Sequence, residues 1–162
     1  MQAKKDLKKM NISEKDKYVL LINRGQRFLK EGYPINVDFE YHSFRNCSIN
    51  DFIPAAEMLV KKGNTVIRVG HLVSDPIKTT NQKIIEYDNL GFRTDLLDIY
   101  LGARCRYILG SDTGYLGVPG WNFRRPLVCV NFSQFEHIGP WLPSWLFSFK
   151  KYWLKSEKRF MK

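Results

Sequence analysis

The chain has few of the residues that build cross-links and metal centres. Its 162 residues include only three cysteines, Cys47, Cys105 and Cys129. They are odd in number, widely spaced and without any Cys-x-x-Cys or Cys/His cluster, which excludes a disulfide scaffold and a zinc module and reads as reduced thiols in a cytosolic protein. A long apolar run is also missing, since the stretch around Trp141 to Phe149 is about half of the roughly 20 residues a spanning helix needs. The start is polar and lysine-rich with no apolar core of leader length, so a cytoplasmic location is expected. Acidic residues are scarce: 16 Asp and Glu stand against 26 Lys and Arg, for a formal charge of +10.

Familiar site motifs are absent too. The turn Gly110-Ser-Asp-Thr-Gly114 has Asp112 where Gly-x-Gly-x-x-Gly needs glycine, and it fits neither a P-loop nor a Gly-x-Ser-x-Gly nucleophile elbow. His42, His71 and His137 show no relation to Ser111 that would make it a nucleophile. No RNA-binding signature is present and the helical segments carry no basic recognition face, which argues against nucleic acid as partner.

What remains is a globular composition, 44% hydrophobic and 14% aromatic, of a length that suits one domain. The positive charge belongs mainly to the two ends, residues 1–17 and 145–162. The first is expected to be a basic tail or frayed helix, the last an aromatic and basic segment, and 18–144 the folded domain. The basic ends also define an alternative reading, a non-catalytic nucleic-acid-binding or membrane-surface module. The C-terminal aromatics and lysines either pack on the domain or a partner, or lie at a membrane interface, which would place the protein at the inner membrane face.

Residues 18–22, Tyr-Val-Leu-Leu-Ile, form a continuous β-branched and apolar run, as in a parallel strand covered on both faces. It delivers Arg24 at its carboxyl end, the edge where open α/β sheets bind ligands. Residues 25–47 show no clean period and read as an aromatic-packed flap or a binding loop that brings Arg45 and Asn46 to the site. A helix follows, with Ile49, Phe52, Ile53, Ala56, Leu59 and Val60 on one face, capped by Ser48 or Asn50 and starting near Asp51. A strand is expected over 65–69, carrying Arg68, and a short strand or extended segment over 83–87. Thr94 caps a largely buried helix over 95–104, and a strand over 106–109 leads into the 110–114 turn. That turn places Ser111, Thr113 and several backbone N–H groups at the start of a short helix capped by Asp112, an arrangement suited to an anion such as a diphosphate. A last strand is expected over 127–130. The whole is an α/β fold with a Rossmann-like parallel sheet.

Phe44-Arg-Asn-Cys-Ser-Ile-Asn-Asp-Phe-Ile-Pro-Ala-Ala56, Val66-Ile-Arg-Val-Gly70, and Arg93-Thr-Asp-Leu-Leu-Asp-Ile-Tyr-Leu-Gly-Ala103 followed by Cys105-Arg-Tyr-Ile-Leu-Gly-Ser-Asp-Thr-Gly114 resemble the C-terminal, donor-binding part of bacterial glycosyltransferases of surface-carbohydrate biosynthesis. More distantly they are similar to heptosyltransferases and to fucosyltransferases of the GT-B fold. The resemblance covers roughly residues 18–153. It implies one half of a GT-B enzyme that binds a nucleotide-sugar donor for transfer to a glycan or lipid-linked glycan acceptor, with no metal or other cofactor. Arg24, Arg45 and Arg68 would face the diphosphate, Ser111 and Thr113 would donate hydrogen bonds to it, and Gly114 would allow its close approach. Asp112 would cap the helix or meet sugar or ribose hydroxyls, and Arg93 and Asp95 are further candidates. The acceptor half, where such enzymes keep a carboxylate base, is largely absent from 162 residues, so a missing N-terminal half or a partner subunit is expected and no catalytic residue is assigned. Asn23-Arg24-Gly25 also departs from the His-x-Arg pattern of the fucosyltransferases.

Overall fold

The computed structural model describes residues 2–32, 39–134 and 143–161. Tyr33 of the expected flap, His137 and the first aromatic of the C-terminal stretch, Trp141, lie outside them. In chain order the elements are α1 (Gln2–Lys9), β1 (Tyr18–Ile22), α2 (Arg27–Glu31), α3 (Ile53–Lys61), β2 (Thr65–Arg68), β3 (Ile84–Glu86), α4 (Asp95–Arg104), β4 (Ile108–Gly110), β5 (Leu127–Phe132), β6 (Trp145–Phe149), β7 (Trp153–Leu154) and β8 (Arg159–Phe160). Strands β1 to β6 make one sheet in the order β3-β2-β1-β4-β5-β6, with every neighbouring pair parallel. This is a Rossmann-like α/β fold.

The continuous apolar run of β1 is explained by its central place. All five residues are buried, and they alternate between two cores. Tyr18, Leu20 and Ile22 face a layer with Leu7 of α1, Leu97 and Leu101 of α4, and Ile67, Ile108 and Leu127 of the flanking strands. Val19 and Leu21 face Ile49, Phe52, Ala56 and Leu59 around α3. A side-chain period of two along a strand buried on both faces therefore reads as an unbroken hydrophobic block.

Four expectations are corrected. Residues 2–12 are not a solvated tail: Ala3, Leu7, Met10 and Ile12 are buried in the first core. Ala3, Leu7 and Met10 recur at helical spacing, so the lysines of α1 fall on the other side, where Lys4 pairs with Glu14 at 2.6 Å and Lys9 with Asp6 at 3.0 Å. No α-helix starts at Asp112. A 3-10 turn at Gly114–Leu116 runs into a π-type turn at Gly117–Asn122, because Gly114, Gly117, Pro119 and Gly120 weaken any regular helix. Helix α4 is less buried than its composition implies, with Leu96 47% and Ile99 51% exposed. The division at 144/145 also moves: β6 is the sheet's edge strand, registered on β5 through Leu127↔Trp145 and Cys129↔Phe147. Among the strands of the described residues, only the antiparallel hairpin β7–β8 stands apart from the main sheet.

Helix caps follow the local chemistry. Thr94 Oγ1 accepts from Leu97 N at 3.1 Å at the start of α4. Ser48 Oγ accepts from Asn50 N at 3.2 Å and opens a 3-10 turn, Ile49–Phe52, so that α3 itself begins at Ile53 with Pro54 in its first turn.

Burial of α1 is open to measurement by urea unfolding. Leu7→Ala should lower stability by about 2–5 kcal/mol, the cost of a core leucine deletion, whereas a solvated tail would leave it within about 0.5 kcal/mol of the parent.

Candidate functional site

The sheet order reverses between β1 and β4, since β1 leads outward to β2 and β3 and β4 leads the other way to β5 and β6. At such a switch point the loops leaving two adjacent strands diverge, and a crevice opens at the carboxyl edge. Here the two loops are clasped at their base. Ser111 N donates to Ile22 O at 3.0 Å, and Ser111 Oγ accepts from Arg24 N at 2.8 Å. Ser111 is fully buried. Through these two bonds it ties the two loops together.

Above the clasp is a cavity of about 500 Å³, whose polar lining includes Arg24, Arg68, Arg93, Asp98 and Thr113. Phe28, Leu29, Leu72, Val73 and Tyr115 supply apolar wall. Of the residues expected at the site, the structure therefore gathers Arg24, Arg68, Arg93, Thr113 and Gly114 around one cavity. Asp95 is not part of its lining and is 89% exposed at the side chain. Arg45 and Asp112 pair with each other at 2.7 Å beside the turn. Asp112 therefore makes an ion pair in place of the expected helix cap, and the cap position falls to Thr113, which makes no side-chain capping bond. A Cβ built on Gly114 would meet nothing within 4 Å, so the backbone there faces open space.

The four arginines differ in how far their charge is already met. Arg68 is buried. It bonds Glu86 and the Asp75 carbonyl, and Asn23 Oδ1 accepts from it at 3.2 Å. Arg93 pairs with Asp95 and Asp98, both at 2.9 Å, and Arg45 with Asp112. Arg24 has no carboxylate in contact among the described residues. Burial and the neighbouring Arg45 guanidinium pull its pKa down against the attraction of Asp112, although a guanidinium stays charged at any ordinary pH. Several buried polar atoms here also lack a protein partner: Thr113 Oγ1, Asp98 Oδ1 and the Nε atoms of Arg24, Arg68 and Arg93. Unmet donors and acceptors gathered at one cavity are what a polar ligand can satisfy.

Asp98 is the most perturbed carboxyl. Burial pushes it up to about 6 from 3.8. Tyr115 Oη donates to the Asp98 carbonyl at 2.8 Å and ties the start of α4 to the segment after the turn.

Sequence reasoning missed Asn23 and Glu86. Asn23 Nδ2 donates to the Cys47 carbonyl at 2.8 Å while its Oδ1 accepts from Arg68, so it fixes the loop after β1 against both neighbours. The signal for Glu86 was present. Aligning Val66 with Ile84 and Ile67 with Ile85 places Arg68 directly opposite Glu86, and that is the observed register.

Together the strand order and the crevice define a Rossmann-like α/β domain with a ligand-sized site at its switch point. Among solved structures, the chain is similar to ADP-heptose LPS heptosyltransferase II of E. coli, with a TM-score of 0.61 and 15% identity. The match covers 93% of this chain and 43% of that one, so the chain spans less than half the length of that enzyme. At this identity the likeness is one of fold alone. No protein-family model matches the sequence, and no curated protein matches it significantly.

Two outcomes follow from this geometry. Glu86→Ala leaves the Arg68 guanidinium buried without its carboxylate and should cost about 3–5 kcal/mol in denaturant unfolding. The raised Asp98 pKa means that the folded state holds this proton more tightly than the unfolded chain. Its contribution to stability is therefore full below 3.8 and is lost as pH rises through about 6. Carbon-detected NMR of the carboxyl should give a midpoint near 6, and the parent should lose stability relative to Asp98→Asn across that interval. A midpoint near 4 would contradict the assignment.

Proposed function

We propose that this domain binds the nucleotide-sugar donor of a glycosyltransferase. The observation that carries the reading is Arg24: a guanidinium at the carboxyl end of the central strand, without a carboxylate partner among the described residues, lining the same cavity as the unpartnered Thr113 hydroxyl. A donor diphosphate supplies what these groups lack, two or more negative charges and several acceptor oxygens. The exposed backbone at Gly114 leaves room for it. Arg68 and Arg93 add field but not free charge, because Glu86, Asp95 and Asp98 already answer them. Asp112, which alone would repel a phosphate, is neutralised by Arg45.

In this reading catalysis on the donor side is electrostatic. As the glycosidic bond to the sugar lengthens, charge accumulates on the leaving diphosphate, and the Arg24 guanidinium and Thr113 hydroxyl of the cavity lining stabilise it. The formal charge of +10 favours encounter with an anionic donor. The general base belongs to an acceptor-binding half, and the acceptor is a surface glycan or its lipid-linked precursor. The similar E. coli enzyme is named for ADP-heptose, which puts an ADP-linked sugar first in a panel that also holds UDP-, GDP- and CDP-sugars.

Calorimetry with that panel should find at least one binder. Arg24→Ala should weaken binding roughly ten- to a hundredfold, as for loss of a charge-assisted hydrogen bond, and Thr113→Ala by less than about tenfold. Ser111→Ala should act on stability instead. If no nucleotide-sugar binds, or Arg24→Ala binds as the parent does, the proposal fails.

A further inference from the structure

The hairpin β7–β8 carries an exposed surface that the donor site does not use. Trp153 and Phe160 are opposed in register and lie on the same face of the ribbon, 51% and 54% exposed. The next residue along, Tyr152, belongs to the opposite face by the alternation of a strand. Its hydroxyl donates to the Ser133 carbonyl at 3.3 Å, which turns that face toward the domain and the Trp153–Phe160 face outward. The base of the hairpin is held as well, because Lys150 Nζ donates to the Phe44 and Asn46 carbonyls.

Around this apolar pair the charge is almost wholly positive. Lys151, Lys155 and Lys158 are exposed and have no carboxylate partner among the described residues. The single acid of the hairpin, Glu157, is taken by Arg159 at 2.6 Å. An apolar wedge ringed by unpaired lysines complements a surface that is anionic at its face and apolar just beneath, which is a bilayer containing acidic lipids. The rings favour lipid over single-stranded nucleic acid. They meet edge to face, with centroids 4.9 Å apart and planes at 76°, so they pack as one wedge and not as parallel platforms on which successive bases stack.

We propose that the β7–β8 hairpin docks the protein on an anionic membrane surface, with Trp153 and Phe160 entering the interface and Lys151, Lys155 and Lys158 meeting lipid phosphates. An attachment of this kind, made by two rings and three lysines, is weakened by salt. It is independent of what occupies the crevice at the switch point.

The test is co-sedimentation of the full chain with phosphatidylcholine vesicles with and without phosphatidylglycerol. Binding should require the acidic lipid and weaken as salt rises. Trp153→Ala with Phe160→Ala should lower partitioning at least about tenfold, and charge reversal at Lys151, Lys155 and Lys158, which touches no packed group, should lower it by roughly fivefold or more per site. Equal binding to neutral vesicles, no binding to acidic ones, or charge-reversed protein that binds as the parent does would overturn the proposal. So would tight binding of a single-stranded oligonucleotide that the same substitutions abolish while vesicle binding stays intact.

Discussion

No side chain fits between the ends of β1 and β4. A Cβ placed on Gly110 would stand 2.4 Å from the Ile22 carbonyl oxygen and 2.5 Å from Ile22 Cγ2, closer than atoms approach. This glycine lets the central strand and its neighbour run together to their last residue. The chain then sets Ser111 where its N–H and hydroxyl clasp the opposite loop. The carboxyl edge depends on that closure. Arg24 projects from a backbone held by the Ser111 hydroxyl, and Thr113 and Gly114 follow two and three residues beyond it. A larger residue at 110 would part the strands where the crevice has its floor.

The electrostatics of the edge depend on burial more than on number. Four arginines gather within reach of one turn, yet the low-dielectric setting that strengthens their fields also demands partners for them. Arg68, the most buried, has the most complete set: a carboxylate, a backbone carbonyl and an asparagine. Arg93 and Arg45, each with a side chain less than a quarter exposed, have carboxylates. Arg24 remains. A site built this way gathers positive charge along the crevice while leaving the Arg24 guanidinium without a carboxylate in contact among the described residues, so under the proposed function an anion would enter without first breaking an ion pair.

Much of the fold was legible because its signals are local. A buried parallel strand must be apolar at every position, and 18–22 is; a helix start needs an acceptor, and Thr94 supplies one. The candidate site was legible in part. The arginines could be placed at strand ends, but pairing between Arg45 and Asp112, which are 67 residues apart, exists only in the folded chain. The same limit hid Ser111. As a residue type in a glycine-flanked turn it resembles a ligand donor, and only the approach of β1 shows that it is buried and that its oxygen accepts from Arg24 N. The turn after Thr113 misleads for a different reason: one polar cap suggests a helical start, while Gly117, Pro119 and Gly120 exclude continuation. Gly120 also lies under Trp145, where a Cβ would come within 2.9 Å of the indole.

The two basic ends show how little composition decides by itself. Both are lysine-rich, and both read as extensions of the folded domain. In α1, however, the apolar residues recur at helical spacing, so one face enters the core and the charged groups are left on the other, two of them drawn into pairs with Glu14 and Asp6. At the other end the aromatics divide by a period of two. Trp145 and Phe147 pack against the first core, because β6 has a neighbouring strand to fix its inward face. Among the described residues no second sheet covers the outer side of the short hairpin that follows, so Trp153 and Phe160 stay exposed beside lysines without a carboxylate partner there. The neighbour available to each segment, and not its charge, determines which apolar face is buried and which is left to meet something outside the domain.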